Sequence, residues 1–347
     1  MSADAGPATV ERAPIEEPPA RSRGRLSPAK AVARFGLVAA WVNVIAVFGA
    51  LRPDTFMTSA NFSTILGSQA VLVVLTLGVT LVLTTGDYDL SIGGTLSLSA
   101  MLIAVLNAKH GWPIGAAIVV ALAAGAAVGA VNGMFVLVFG VDSFIVTLGT
   151  GTVLQGIVLW ISDSTTISGV SNTLVDAVVG NSLLGVPIAF YYGLVLCVAL
   201  WYLFEYTALG RRMLFVGRGR RVSRLSGIDV RRVRWGALVA TGVISAFAGV
   251  LYAGTTGGAD STSGASFLLP AFAAAFLGAT SIVPGRFNPW GSFVAVYFLV
   301  TGITGLTLFG IQSWVQDMFY GGALVLAVTF SQMGRRREER DSGMPAN

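Results

Sequence analysis

The chain has 347 residues, of which 54% are apolar and 11% are charged, and its mean hydropathy is +0.76. Soluble domains carry about 25% charged residues, so this composition excludes a water-soluble globule with an ordinary surface. Each crossing of a bilayer needs about 20 apolar residues, so about 200 residues are enough for ten helices. We therefore predict an all-α, polytopic membrane protein.

Several kinds of chemistry are excluded by residues that the sequence lacks. The single cysteine, Cys197, excludes a disulfide within the chain, and the single histidine, His110, excludes a histidine cluster for zinc. The two lysines, Lys30 and Lys109, do not lie in the G-x-x-x-x-G-K-[ST] context of a P-loop. We expect no enzyme activity, cofactor or metal ion in this chain, so any energy must come from elsewhere.

The chain begins and ends with polar segments. Residues 1–30 hold five prolines among mixed charges, which predicts a disordered cytoplasmic tail, and residues 334–347 predict a basic cytoplasmic tail. Between them, residues 31–333 predict a transmembrane domain with one long cytoplasmic loop at residues 205–235. Its ten predicted spans are Phe35–Leu51, Thr64–Thr85, Ile92–Leu106, Ile114–Leu137, Ser143–Ile161, Pro187–Phe204, Gly236–Thr255, Phe267–Val283, Pro289–Leu308 and Ile311–Phe330.

The positions of the basic residues predict the orientation. With ten spans and a cytoplasmic amino terminus, twenty lysines and arginines fall inside, and only Arg52 and Lys109 fall outside. This positive-inside bias favours an even number of spans and two cytoplasmic termini. Because the charges lie between apolar segments, the net charge of +5 indicates membrane topology and contact with lipid rather than a nucleic acid partner.

Two carboxylates interrupt the apolar sequence at residues 86–94, GDYDLSIGG. A carboxylate at the bilayer centre costs about 2.5–3.5 kcal/mol, so this segment must lie near the cytoplasmic interface or line a wet cavity. Asp89 or Ser91 caps the following helix, or contributes to a gate or pathway. The sequence leaves both interpretations open.

Neutral polar side chains lie at membrane depth in the fourth and fifth predicted spans. They include Asn132, Thr147 and Gln155. Hydroxyl and amide groups suit an uncharged, polyhydroxylated solute, because they replace its water shell without a counter-charge. Such groups also form hydrogen bonds between helices, so both roles remain open. In the fourth span, Gly125, Gly129 and Gly133 form a G-x-x-x-G-x-x-x-G face, which predicts close helix packing.

The long loop contains a short segment with helical character. It consists of Ser223, Arg224, Leu225, Ser226, Gly227 and Ile228. We predict a short amphipathic helix that ends at the glycine, with Leu225 and Ile228 available to enter a groove on another protein. Alternatively, the loop's nine arginines only set the topology and contact anionic lipid.

Five motifs occur in order between residues 55 and 330. They are GDYDLSIGG, VNG followed by SFIVTLGT, LGRRMLFVGRGRRVSRLSGIDVRRVR, FAGVLYA and LGATSIVPGRFNPWGSF. Together they resemble the membrane permease subunit of bacterial ABC-type monosaccharide importers, the ribose and xylose permease family. The resemblance implies two permease copies around a central pathway in the bacterial inner membrane. It also implies a cytoplasmic ATPase subunit that holds ATP and Mg, and an extracytoplasmic sugar-binding protein.

The resemblance also assigns roles to residues. It places the ATPase-coupling helix at Ser223–Ile228. Four of the candidate pathway or gate residues match the family's motifs, namely Asp89, Ser91, Phe144 and Thr147. The other two, Asn132 and Gln155, are candidates because they are neutral polar groups at membrane depth. Asp87, Tyr88 and Asp142 depart from the family's pattern, and the added carboxylates either alter the solute preference or cap a helix.

Three other classes of protein remain as alternatives. A branched-chain amino-acid ABC permease would carry a charged solute, whereas the candidate pathway groups here are neutral. An ion-coupled secondary carrier usually places ionisable groups near the bilayer midplane, whereas the acidic residues here lie in loops and at span ends. The third alternative is a membrane scaffold or receptor subunit that transports nothing.

Overall fold

The computed structural model describes residues 28–312 and 314–341. The regular elements within them are helices apart from four strands of two residues each, so the predicted all-α class is confirmed. Helix α1 begins at Pro28, inside the predicted amino-terminal tail, and residues 1–27 of that tail lie outside the described residues.

The first half of the chain contains seven helices. They are α1 (Pro28–Leu51), α2 (Pro53–Phe56), α3 (Ser59–Ser68), α4 (Ala70–Thr84), α5 (Ile92–Ile103), α6 (Ile114–Leu137) and α7 (Ser143–Ile161). Helix α5 continues as a π-helical segment, Ala104–Lys109. The predicted span Thr64–Thr85 is instead two helices, α3 and α4, with a bend of 41° between them. Gly67 lies against the ring of Pro187, so α3 packs over the start of the long helix that begins at Ile188.

The second half contains eight helices. They are α8 (Asn172–Val175), α9 (Ile188–Tyr206), α10 (Ala208–Arg218), α11 (Arg220–Leu225), α12 (Val230–Thr256), α13 (Ala265–Gly278), α14 (Pro289–Thr307) and α15 (Trp314–Asp341). A π-helical segment, Asp176–Gly180, follows α8. The predicted loop is therefore largely helical, and α12 begins six residues before the predicted span because Asp229 caps it, accepting from the backbone N–H of Arg232. Helix α15 extends into the predicted basic tail.

Two small antiparallel ladders lie beyond the carboxyl ends of α7 and α12. Strand β1 (Ile167–Ser168) pairs with β4 (Gly258–Ala259), and β2 (Ser182–Leu183) pairs with β3 (Val186–Pro187). Because α10 and α11 precede the amino end of α12, the β1–β4 ladder and these two helices lie at opposite ends of that long helix.

Among the described residues, seven helices are long and apolar enough to cross a membrane. They are α1, α5 with its π-helical extension, α6, α7, α9, α12 and α14. The bent pair α3–α4 makes an eighth span if it crosses as one. Helix α13 is apolar but has only 14 residues, and the side chains of α15 are described only as far as residue 329. The protein is thus a multi-pass membrane protein, and the number of ten spans stays a prediction.

Helix α4 lies at the centre of the molecule. All 15 of its residues are buried, and it packs against α9, α12, α13 and α14. A helix that is apolar on every side is typical of a protein core or of a membrane span, and in this structure other helices cover α4 on all sides.

The predicted glycine face is confirmed as a packing seam, between α6 and α12. A Cβ atom at Gly125 would overlap Gly242 of α12, and one at Gly129 would overlap the backbone of Leu238. A Cβ at Gly133 would overlap the indole of Trp235. The two helices therefore approach with their backbones almost in contact, as small residues allow in membranes.

Charged residues divide between two ends of the molecule. At one end, which we call the arginine-rich end, Arg286 forms an ion pair with Glu205 at 2.6 Å, and α10 packs against the last residue of α4. At the opposite end, Lys109 pairs with Asp163 at 3.4 Å, and Arg52 lies over the ring of Phe309. The spans between these ends carry few charges.

Candidate functional site

The segment between α4 and α5, residues 85–91, forms what we call the acidic loop. It lies at the arginine-rich end, and α7 holds its backbone in place. The N–H of Tyr88 donates to Ser143 Oγ at 3.1 Å, and the N–H of Leu90 donates to Thr147 Oγ1 at 2.9 Å. Thr147, a predicted pathway residue, is therefore a buried acceptor for the loop backbone, and sequence reasoning missed its neighbour Ser143.

A buried chain of hydrogen bonds joins the acidic loop to α6. Asn132 Nδ2 donates to Ser91 Oγ at 2.9 Å, and Ser91 Oγ donates to Asp89 Oδ1 at 2.6 Å. The same carboxylate oxygen accepts the backbone N–H of Ser91 at 2.9 Å, just before α5 begins. Asn132 Oδ1 has no partner among the described atoms. All three residues are among the predicted pathway or gate residues, and the structure places them in the packed interior.

The carboxyl group of Asp89 lies in the acidic loop, between the spanning helices, and is 1% exposed. Burial raises its pKa from 3.8 to about 6, because the charged form loses its water, while the hydrogen bonds from Ser91 oppose that shift. Between about pH 4 and pH 6 the folded protein therefore binds more protons than the unfolded chain, and its stability falls as the pH rises through this range.

Asp87 is the most strongly paired residue of the loop. It is 1% exposed and accepts two hydrogen bonds from Arg234, at 2.7 Å from Nε and 2.6 Å from Nη2. Arg220 Nη2 lies 3.0 Å from the same carboxylate and donates to the carbonyl of Gly86 at 2.8 Å. A buried carboxylate requires such pairing, and a bidentate arginine gives the strongest form of it.

These arginines lie on either side of α11. Arg220 is the first residue of that helix, and Arg234 lies in the first turns of α12. Through these ion pairs, Asp87 links the acidic loop to residues before and after the body of α11. Sequence reasoning placed Asp87 among departures from a family pattern and the arginines among topology signals. The signal that could have found this ion pair was a carboxylate within a mostly apolar region, in a chain whose long loop has many more arginines than acidic residues.

The predicted short helix exists with different limits. It spans Arg220–Leu225, because the extended Gly219 separates it from α10, and a turn at its carboxyl end closes it. The N–H of Gly227 donates to Arg224 O at 3.1 Å, and that of Ile228 donates to Ser223 O at 3.0 Å. Gly227 has φ +77°, the left-handed conformation that this turn requires.

The two apolar residues predicted to contact another protein differ in exposure. Leu225 is 83% exposed at the end of α11. Ile228 is half-buried and packs against the core, so it is less available than predicted. Ser223 is fully buried, whereas Arg224, Ser226 and Gly227 are exposed.

A cavity of about 700 Å³ lies beside the acidic loop. Its wall includes Asp87, Tyr88 and Asp142, the three positions that depart from the resembled family's pattern, together with four arginines. The arginines are Arg220, Arg224, Arg231 and Arg234. Asp142 also caps α7 by accepting from the N–H of Phe144 at 2.8 Å.

The six candidate pathway residues do not form one surface. None of them lines this cavity. Phe144 is half-exposed beside it, with its ring edge against Tyr88 at a centroid distance of 6.3 Å. Gln155 lies further along α7 and donates to the carbonyl of Ser261. Within the described residues, no three His, Cys, Asp or Glu side chains are grouped to hold a metal ion.

The fold defines a multi-pass helical membrane protein. The family model described as "Branched-chain amino acid transport system / permease component" matches residues 61–328. The chain belongs to this permease family, and it is a multi-pass protein of the inner membrane.

Several curated relatives are similar over most of the chain. The D-allose transport system permease protein of Escherichia coli K12 is 31% identical over 84% of this chain and 89% of its own length. The ribose import permease protein of the same strain is 31% identical over 82% of this chain and 89% of its own length. The autoinducer 2 import system permease protein LsrD of Salmonella typhimurium LT2 is 31% identical over 77% of this chain and 81% of its own length. No solved structure matches.

Replacing Asp87 by asparagine is expected to destabilise the protein by about 3 kcal/mol, because Arg234, whose side chain is only 14% exposed, would lose its counter-charge. Thermal unfolding of the purified protein in detergent measures this. Asp142→Asn is the matched control, since Asp142 is an exposed carboxylate of the same cavity and asparagine caps a helix equally well. Equal melting temperatures for the two variants would contradict the ion-pair account. The double variant with Arg234→Gln should lose less stability than the two single losses added together.

Replacing Asp89 by asparagine is expected to stabilise the protein at pH 7 by about 2–3 kcal/mol, because the variant keeps the acceptor for Ser91 and removes the buried charge. The wild type should lose stability between about pH 4 and pH 6, and the variant should not. Melting temperatures at pH 4.5 and 7.5 check both statements. A variant less stable than the wild type at pH 7.5 would refute them. Transport should be retained, whereas its loss at normal abundance would indicate a role for the charge.

Proposed function

We propose that this chain is the transmembrane permease subunit of an ATP-binding-cassette importer that passes a monosaccharide, a pentose or related sugar, across the bacterial inner membrane. A separate ATPase subunit drives transport, and a solute-binding protein delivers the sugar. The observation that carries this proposal is the similarity to permeases named for allose and ribose, which extends over more than four-fifths of the chain.

The choice of a sugar over an amino acid depends on these relatives. The family's description names branched-chain amino acids, but it covers permease components as a group. Allose and ribose are uncharged sugars. The neutral side chains that first favoured an uncharged solute are mostly buried in helix packing, so they add little to the choice.

We further propose ten spans with both termini in the cytoplasm, bounded by tails at residues 1–30 and 334–347. This topology is supported by the concentration of arginines at one end of the molecule. Arg34 at the start of α1, the α10–α11 segment and the connection between α13 and α14 all lie there. Such an excess of basic residues marks the cytoplasmic side.

The ATPase subunit, which holds ATP and Mg, would dock on the segment Ser223–Ile228. The support is the exposed Leu225 on a short helix at the arginine-rich end. A displacement of α11 would reach Asp87 through Arg220 and Arg234, and then α7 through the bonds to Ser143 and Thr147. The acidic loop thereby acts as a connection between the ATPase and the spans, and the transporter alternates between two conformations.

The sugar-binding protein would dock at the opposite end, near Thr165–Val186. This segment contains β1, α8 and the tip of the β2–β3 turn, where Leu184 is 90% exposed. A second copy of the permease completes the pathway. A large apolar face on α7, which includes Ile145, Val153 and Trp160, is exposed and available for that copy or for lipid.

An ion-coupled carrier is the second candidate, and the distribution of carboxylates disfavours it. Such carriers use ionisable groups near the bilayer midplane. The seven spans contain one acidic residue, Glu205, which lies beside the last residue of α9 and pairs with Arg286.

The test of this function is uptake of labelled pentoses, hexoses, sugar alcohols and branched-chain amino acids by cells with and without the gene. Each assay is repeated with a protonophore while ATP is maintained. We expect one sugar's uptake to be lost with the gene, and the wild-type uptake to resist the protonophore. Collapse of gene-dependent uptake with the protonophore would support a secondary carrier, and loss of amino-acid uptake would support the other permease class.

The docking role of α11 is tested by Gly227→Glu, which places a charge and a side chain at the proposed interface. We expect uptake and sugar-dependent ATP hydrolysis to be abolished, with normal amounts of protein in the membrane. Gly227→Asn is the control, because asparagine tolerates the left-handed conformation better than other non-glycine residues and the space around Gly227 is open. Normal uptake by the glutamate variant would exclude this segment as the docking site.

A further inference from the structure

Two adjoining spaces lie at the arginine-rich end, next to α10. The first is a surface groove of about 700 Å³ between α10 and the start of α12, and its wall also includes Ser226, Gly227 and Ile228 of the proposed ATPase-docking segment. The second is a crevice of about 170 Å³ that enters the spans. They share Leu209, Arg232 and Val233 in their walls, so the groove leads directly into the crevice.

The groove is positively charged. Arg211, Arg212 and Arg232 line it against one carboxylate, Asp229, which pairs with Arg232 at 3.0 Å. Within the described part of the chain, Arg211 and Arg212 form no ion pair. The groove therefore offers two uncompensated guanidinium groups, which suit a phosphate.

The crevice is apolar. Its floor is Leu81 of the central helix α4, and its sides come from α9 and α12, which both pack on α4. Side chains such as Leu203 and Ile244 line it at the depth of the spans. Helix α10 closes its end with Met213, and the opposite face of this amphipathic helix carries the arginines. A helix of this kind lies along the membrane interface.

We propose that groove and crevice together bind one anionic phospholipid. Its phosphate lies between Arg211 and Arg212, and part of one acyl chain enters the crevice beside Ile244. A charged mouth that opens into an apolar slot matches the two halves of a phospholipid. A free sugar phosphate or nucleotide has no apolar part to fill the slot. The assignment to the cytoplasmic leaflet rests on the orientation proposed above, and the binding site itself does not.

The charge requirement is tested by native mass spectrometry of the delipidated transporter with added phosphatidylglycerol. We expect phosphatidylglycerol to bind, and we expect that phosphatidylcholine with the same acyl chains does not displace it. Arg211→Gln with Arg212→Gln should weaken binding about 25-fold, at about fivefold for each arginine. Arg218→Gln with Arg221→Gln removes the same charge from exposed positions of the same loop, and should leave binding unchanged. Equal losses of lipid binding in the two double variants would refute a specific site.

The apolar half is tested by Gly236→Leu. Gly236 lines the crevice, has ordinary helical backbone, and has open space where a side chain would begin, so the leucine can fill the slot without a clash. We expect phosphatidylglycerol binding to fall at least tenfold. Gly115→Leu, at another open helical glycine, should retain binding. Equal binding of glycerol phosphate and phosphatidylglycerol by the wild type would mean that the acyl chain adds nothing, and would overturn the proposal.

The ATPase subunit is the other possible occupant of the groove. The same spectra are therefore recorded for the permease alone and for the assembled transporter. Lipid retained in both supports the proposal, whereas lipid lost on assembly assigns the groove to the ATPase and refutes it. Lipid retention requires no transport, so a failure of the proposed sugar uptake would leave this test unaffected.

Discussion

The buried charge of Asp87 determines how the arginine-rich end is arranged. A carboxylate removed from water is stable only with paired cations and hydrogen bonds, and here Arg234 and Arg220 supply both. Because these arginines lie on either side of α11, neutralising Asp87 also fixes the position of that short helix. The acidic loop is held in turn by Ser143 and Thr147. One electrostatic requirement thus joins α11 to the membrane helices.

Much of the fold could be predicted from the sequence, because a bilayer imposes a length and a polarity on every span. The glycine face of α6 was also predictable, since a spacing of four residues places Gly125, Gly129 and Gly133 on one side of a helix. The partner of that face was not predictable, because α12 is about one hundred residues away in the chain. The glycine at the end of α11 was predicted, whereas the start of that helix after Gly219 and the capping of α12 by Asp229 were not, because both lie within an arginine-rich loop without a regular apolar pattern.

The site was predicted less completely, for a physical reason. Polar groups are rare in the apolar segments, so Asp89, Asn132 and Thr147 could be singled out from the sequence, and the structure places them in or next to the acidic loop. Their roles depend on which atoms they meet, and those contacts join distant parts of the chain. Asp87 lies 133 and 147 positions from its two arginines. Its departure from the resembled family's pattern removed it from the candidate list, although it has the strongest contacts of the acidic loop.

The glycine seam has a consequence for how the molecule changes shape. Most interfaces between helices can adjust because side chains change rotamer, but α6 and α12 meet almost backbone to backbone at Gly125 and Gly129, and the indole of Trp235 fills the contact at Gly133. Few side-chain atoms are available at the first two positions to absorb a sliding or tilting movement. We therefore expect the two helices to move together as one rigid body. Since α12 begins beside α11, any force applied to that short helix displaces a span that is remote from it in sequence.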